Sequence, residues 1–370
     1  MAGDRVPIDA QRTDAPLSRF AVFLVVTVRD RDEARETVRG VVSGIDGLVK
    51  TVGFRDLNAG LSCVVGLGEA IWDRLSPARR PLELRAFSPV VGAVHTAPAT
   101  PGDLLFHIRA ERADLCFEFE RLLLDELGDA VTVVDETQGF RYFDARDVLG
   151  FVDGTANPNG ADLPAAALIG AEDPGFAGGS YVVVQKYLHD LRAWAELSTE
   201  EQEAVIGRTK ADNVELPDAA GPQLAHKTLA TIEGEDGGEL PILRDNMPFG
   251  RPGHGEFGTY FIGYTRRLWV IERMLERMFV GEPAGYHDRI LDVSRAVTGS
   301  TFFVPSNAVL RSLADPAASA APGAPDGADA EWLAELPFAD RRESLGIGSL
   351  RAPTAPTIPT IADPRPEETP

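Results

Sequence analysis

The order of apolar patterns along the first 143 residues leaves few folds open. AVFLVVTV (21–28) is a continuous β-rich apolar run, the mark of a buried strand. RDEARETVRGVVSGI (31–45) follows, with Val38, Val41, Val42 and Ile45 at helical spacing. LSCVVGLG (61–68) and PGDLLFHIRA (101–110) read as strands, RADLCFEFERLLLDEL (112–127) as a helix, and VTVVDETQGFRYF (131–143) as a strand and a turn into a further strand. Strand, helix, strand, strand, helix, strand is the ferredoxin-like order. The second half repeats it: SYVVVQKYLH (180–189), STEEQEAVIGRT (198–209), GTYFIGYTR (258–266), RLWVIERMLERMFV (267–280) and GSTFFVPS (299–306). Ser198 and Glu201 have the spacing of a capping box. The fold class is therefore α+β: two ferredoxin-like domains, each an antiparallel sheet with helices packed on one face. They are expected at 18–145 and 146–313, after a flexible N-terminal arm at 1–17. A flexible Ala/Pro-rich linker at 314–343 and a disordered tail at 352–370 bracket a short aliphatic stretch, 344–351.

Charge and cysteine content narrow the partners. A net charge of −21 opposes binding to nucleic acid or an anionic membrane surface. Cys63 and Cys116 sit in apolar contexts (LSCVV, DLCFE) and read as core thiols, which fits a reducing compartment. MAGDRVPIDAQRTDAP has no apolar signal core, and the apolar runs are too short to span a bilayer, so a cytosolic protein is expected.

Most familiar catalytic motifs are missing: there is no Walker A, HExxH, CxxC or GxSxG. GHGEFG (253–258) matches GxGxxG but precedes a strand instead of following one, so it reads as a plain loop. Other stretches each carry a bland and a sharp reading. In LGFVDGTANP (149–158), Asp153-Gly154 is turn chemistry, or an acid held in an apolar pocket. His226 in PQLAHKTLAT is a surface or capping residue, or a metal ligand. A ligating imidazole needs an acceptor behind it, and HDRILD (287–292) offers Asp288 and Asp292. LRDNMPF (243–249), if extended, turns Arg244 and Asn246 to one face and Asp245 to the other. Arg208 and Lys210 in GRTK (207–210) suit a helix C-terminus, or a ligand carboxylate. EGEDGGE (233–239) reads as a solvated hairpin tip, or a weak metal site.

Taken together, GFVDGTANP (150–158), HKTL (226–229), LRDNMPFG (243–250) and GTYFIGY (258–264) resemble the B-type, bacterial dye-decolorizing peroxidases in order and separation, over residues 20–310. The resemblance implies one haem b per chain in the C-terminal domain, with His226 as the iron ligand. It implies catalytic roles for Asp153, Arg244 and Asn246 on the peroxide side. Arg208 would pair with a haem propionate, and Asp288 would stand behind His226. The implied activity is oxidation of dyes, phenolics and lignin-derived aromatics by hydrogen peroxide, through a ferryl intermediate. Ala156 stands where some relatives carry an acid used for Mn(II). Glu215 and Glu239 remain as carboxylates for that ion, so weak Mn(II) oxidation at best is expected.

SLGIGSLR (344–351) is similar to the peptides that load cargo into encapsulin shells. Leu345, Ile347 and Leu350 would fill apolar pockets on the shell protein, with the linker supplying reach. Here 19 residues follow Arg351, whereas such peptides usually end the chain. The resemblance thus implies a shell partner through Ser344–Arg351, a cytoplasmic nanocompartment and homo-oligomers. Two other readings are a chlorite-dismutase-like haem enzyme and a non-catalytic haem carrier. The acid of the GFVDG motif argues against the first. A carrier needs His226 but neither the acid nor the Arg.

Overall fold

The apolar run at 21–28 forms the strand β1 (Phe20–Val28), buried along almost its whole length because both its faces are covered. In this computed structural model, which describes residues 9–15 and 17–315, Val22, Leu24 and Val26 pack beneath helices. Ala21, Phe23 and Val25 alternate into a second apolar cluster on the opposite face. The helices over β1 are α1 (Asp32–Ser43), through Ala34, Val38 and Val42, and α2 (Ala113–Leu127), through Leu115, Phe119 and Leu123.

Three more strands complete the first half: β2 (Ser62–Leu67), β3 (Leu104–Ala110) and β4 (Val131–Phe140). Their order, β4-β1-β3-β2, is antiparallel and ferredoxin-like. The second half supplies β5 (Ser180–His189), β6 (Leu243–Arg244), β7 (Met247–Arg251), β8 (Glu256–Thr265), β9 (Ser294–Ala296) and β10 (Ser300–Val304). Its order, β10-β5-β8-β6, repeats that arrangement, with β7 paired to β8 and β9 to β5. β2 meets β10 at Leu67 and Phe303, so the two halves share one ten-stranded sheet. The helices of the second half include α3 (Thr199–Ile206), the one-turn α4 (His226–Leu229) and α5 (Leu268–Phe279). The capping box read from Ser198 and Glu201 is formed in full at the start of α3.

The faces without helices pack against each other. Phe23 of β1 stacks on Tyr260 of β8 with ring centroids 4.1 Å apart. Arg109 of β3 donates through Nη1 to Asp245 Oδ2 at 2.6 Å, and both residues are buried. GHGEFG runs from the turn after β7 into the start of β8, and not from a strand into a helix. Glu233 and Glu239 bridge across a hairpin. Cys63 and Cys116 are buried free thiols.

One expectation fails. Residues 9–15 are not a loose arm. Gln11 is buried and donates to the carbonyls of Val65 and Pro305 while accepting from the Val65 amide. A side-chain amide has donors and an acceptor to satisfy, and strand β2 together with the chain just past β10 satisfies this one. Residues 1–8, Pro16 and 316–370, including the expected targeting peptide, lie outside the described residues. Among those described, no helix is long and apolar enough to cross a membrane.

Candidate active site

His226 opens α4, and its Nδ1 lies 2.6 Å from Asp288 Oδ2. Asp288 is fully buried and caps a 3-10 turn by accepting from the Ile290 amide through Oδ1. Burial pushes the imidazole toward its neutral form, but the charge and hydrogen bond of Asp288 outweigh it and raise its pKa. A protonated Nδ1 donating to Asp288 leaves the Nε2 lone pair free. The third of the His226 side chain that stays accessible faces an internal cavity.

Asp153 reaches the same cavity from the loop before β5. That loop turns through two left-handed glycines, Gly150 (φ +95°) and Gly154 (φ +73°). A Cβ at Gly150 would meet Lys210 Cε at 2.6 Å, so the glycine also permits close approach. The Asp153 amide donates to Ala145 O at 3.0 Å, and its Oδ1 accepts from the Gly154 amide at 2.7 Å. Turn chemistry and pocket acid are thus both true of this residue. Phe151 is buried against Trp194 and keeps the surroundings apolar.

Arg244 ends β6, and Asn246 lies just before β7. Both line the cavity, while Asp245 turns the other way toward Arg109, as alternation requires. Asn246 Oδ1 accepts from the Ile262 amide at 3.1 Å, and Nδ2 points to Asp153 Oδ1 at 3.4 Å. Burial lowers the Arg244 pKa from its ordinary value, and the Asp153 charge counters this. An arginine starts so high that the guanidinium keeps its charge.

The cavity holds about 320 Å³. Phe261, Val270, Met274, Leu275 and Met278 give it an apolar wall, interrupted by His226, Asp153, Arg244 and Asn246. Arg208 and Lys227 stand in its lining beside Glu215. Arg208 donates to Asn213 Oδ1 at 2.7 Å and to Glu215 at 3.2 Å, and Lys227 Nζ lies 2.8 Å from Glu215. Glu239 and Ala156 are also in the lining. Among the described residues, Glu215 and Glu239 do not join a third His, Cys, Asp or Glu in a metal-holding group.

Three features escaped the sequence reading. Asn157 clamps the Arg244 backbone on both sides, accepting from its amide at 2.9 Å and donating to its carbonyl at 2.6 Å. Asp147 lines the cavity, and burial pushes its carboxyl up to about 6. The Arg109–Asp245 pair holds the strand from behind. The sequence gives Asn157 only as part of a turn-like Asn-Pro, and its partner is 87 residues away.

A ferredoxin-like second half enclosing a carboxylate-backed imidazole, an apolar slot and a facing Asp, Arg and Asn defines a cofactor-binding site with acid–base equipment. A flat apolar group with acidic edges fits it: the free imidazole nitrogen would bind a metal centre, the wall would cover the faces, and Arg208 and Lys227 would meet the acids. Models of the Dyp-type peroxidase N-terminal and C-terminal regions match residues 14–141 and 144–309. The chain belongs to the Dyp-type peroxidase family. It is 52% identical over 348 residues to the dye-decolorizing peroxidase of Mycolicibacterium paratuberculosis, covering 94% of each chain. A variant of DypB from Rhodococcus jostii RHA1, solved in complex with heme, is 60% identical with a TM-score of 0.79 over 81% of this chain and 97% of that one. The encapsulated DyP-type peroxidase from Mycobacterium smegmatis is 53% identical with a TM-score of 0.79, covering 83% and 98%.

Proposed function

We propose that this chain binds one haem b through His226 and uses hydrogen peroxide to oxidise dyes, phenolics and lignin-derived aromatics. The supporting observation is the joining, in one cavity, of the His226–Asp288 pair with Asp153, Arg244 and Asn246. Bound there, haem would supply an iron centre that takes up peroxide and holds oxidising equivalents for the reducing substrate. Asp288 fixes the His226 tautomer and makes the ring a stronger electron donor. Across the cavity, Asp153 takes the proton from one peroxide oxygen and delivers it to the departing one. Arg244 stabilises the negative charge that grows on the departing oxygen as the O–O bond lengthens. Asn246, its carbonyl fixed by Ile262, uses its amide to hold Asp153 or peroxide in line. Arg208 would meet a haem propionate. The presence of both acid and Arg supports catalysis over passive haem carriage.

Haem titration of the wild type and of His226→Ala tests the assignment. The wild type should give a Soret band and dye turnover, and the variant should lose turnover. Equal turnover in both would overturn the role of His226. Mn(II) oxidation should be weak, because Glu215 is already engaged by two cations and Ala156 offers no ligand. Mn(II) turnover as fast as that of a model dye would contradict this. Packaging in an encapsulin shell is part of the same proposal, supported by SLGIGSLR and by the encapsulated relative. Deleting 340–370 should abolish co-purification with the shell protein, and unchanged loading would refute it.

A further inference from the structure

Far from that cavity in sequence, the connection between β2 and β3 forms a small hairpin from Val90–Val91 and Thr96–Ala97. It lies hard against the end of α5: a Cβ added to Gly92 would stand 1.9 Å from the Phe279 carbonyl oxygen. The hairpin therefore has a fixed position, and it carries His95. Opposite it runs the segment that continues from His287 into the 3-10 turn Arg289–Asp292. This segment is also held, through Gln223 Nε2 donating to the His287 carbonyl at 3.0 Å and through the Asp288 cap.

The two segments bring three donor atoms together. His95 Nε2 lies 3.2 Å from Asp292 Oδ1, and His287 Nε2 lies 2.8 Å from the same oxygen. The imidazoles meet edge to face, with centroids 4.7 Å apart, and all three donor atoms lie within 4.8 Å of one another. Zinc bound at about 2.0–2.1 Å places tetrahedral ligands about 3.3 Å apart. Both imidazole-to-carboxylate spacings are already close to that edge length. Arg289 Nε occupies the other carboxylate oxygen, Oδ2, at 3.4 Å, which fixes the carboxylate and leaves Oδ1 turned to the imidazoles. The three side chains are 24%, 19% and 39% exposed, so an ion can enter and water can complete the coordination.

We propose that His95, His287 and Asp292 form a binding site for a divalent transition ion, with zinc the natural occupant of two imidazoles and one carboxylate. Copper(II) and nickel(II) share the donor preference, whereas magnesium and calcium do not. The ion would take the two Nε2 lone pairs and Oδ1 and displace the present hydrogen bonds. It would tie the hairpin of the first half to the turn that begins at Asp288. The site is distinct from the haem cavity and does not depend on the function proposed for it.

Calorimetric titration of zinc into the purified full-length, haem-loaded protein tests the proposal, with His95→Ala and Asp292→Asn alongside. The wild type should bind one zinc per chain, with magnesium giving no matching isotherm. Each variant should bind about tenfold more weakly or worse, as expected for loss of one of three protein ligands. At the same zinc concentration, the melting temperature of the wild type should rise more than that of His95→Ala. His95→Ala probes an accessible side chain on the hairpin, and Asp292→Asn keeps the side chain's shape, so a folding defect in one is checked by the other. Absence of binding in the wild type, or the same isotherm in all three proteins, would overturn the proposal.

Discussion

Arg244 is fixed at its backbone by Asn157 and only lightly at its guanidinium, where the Ala230 carbonyl stands 3.4 Å away and Met274 Sδ 3.7 Å. The charged group is thus positioned without being neutralised. Arg244→Leu should slow the reaction with peroxide by about 10²–10³-fold, the usual cost of losing a preorganised electrostatic partner, with haem binding intact. Stopped-flow mixing measures this, and a wild-type rate would remove Arg244 from the mechanism. Asn157→Ala should slow the same step by about 10- to 100-fold by misplacing Arg244, again without loss of haem. An unaltered rate there would mean that the strand alone sets the arginine. Asp153, His226, Arg244 and Asn246 were legible because unusual residue types stood in a family-like order. Asn157 was not, because its work is done on a backbone distant in sequence. Residue spacing alone left Asp288 and Asp292 open as partners of His226, and the family resemblance implied Asp288; His226 does pair with Asp288, and Asp292 faces His95 and His287 instead.

The strand pair that carries these residues is shaped by alternation. Arg244 and Asn246 face the cavity, and Asp245 between them is buried against Arg109. The sequence pattern implied that parity but not the partner, which comes from β3 of the other half. Arg109 also donates to the carbonyls of Arg12 and Ala15, which is why residues 9–15 stay attached. Removing one member of a buried ion pair leaves the other uncompensated. Arg109→Met should therefore cost about 3–5 kcal/mol in denaturant unfolding, and Arg109→Met with Asp245→Leu should recover most of it. No recovery in the double variant would show that the backbone contacts of Arg109, not the pair, carry the stability. Helix and strand types in the first half were readable from periodicity. Short elements such as α4 and β6 were not, because one turn or two residues hold too little pattern to detect.

The two ferredoxin-like halves expected from element order are present, but order alone did not say that they share a sheet or that their open faces close on each other. Burial on the helix-covered face also makes interior polar groups expensive. Glu120 on α2 is buried with one carboxylate oxygen unpartnered, and burial, with the Glu136 charge adding, pushes its pKa up to about 7. Between the ordinary carboxylate range and about 7, the folded protein holds a proton that the unfolded chain has lost. Stability therefore falls as pH rises through that window. Glu120→Gln should stabilise the protein by about 1–3 kcal/mol at pH 8 and change little at pH 4. Melting curves at the two pH values check this, and equal shifts at both would place the ionisation elsewhere. The second half sets a carboxylate-backed histidine, an acid, an arginine and an asparagine around one apolar slot. The most direct check is an absorption spectrum of the purified protein, reconstituted with haem and recorded before and just after one equivalent of hydrogen peroxide. The expected result is a Soret band that shifts promptly on mixing. A protein that takes up no haem, or whose Soret band does not move with peroxide, would contradict the assignment.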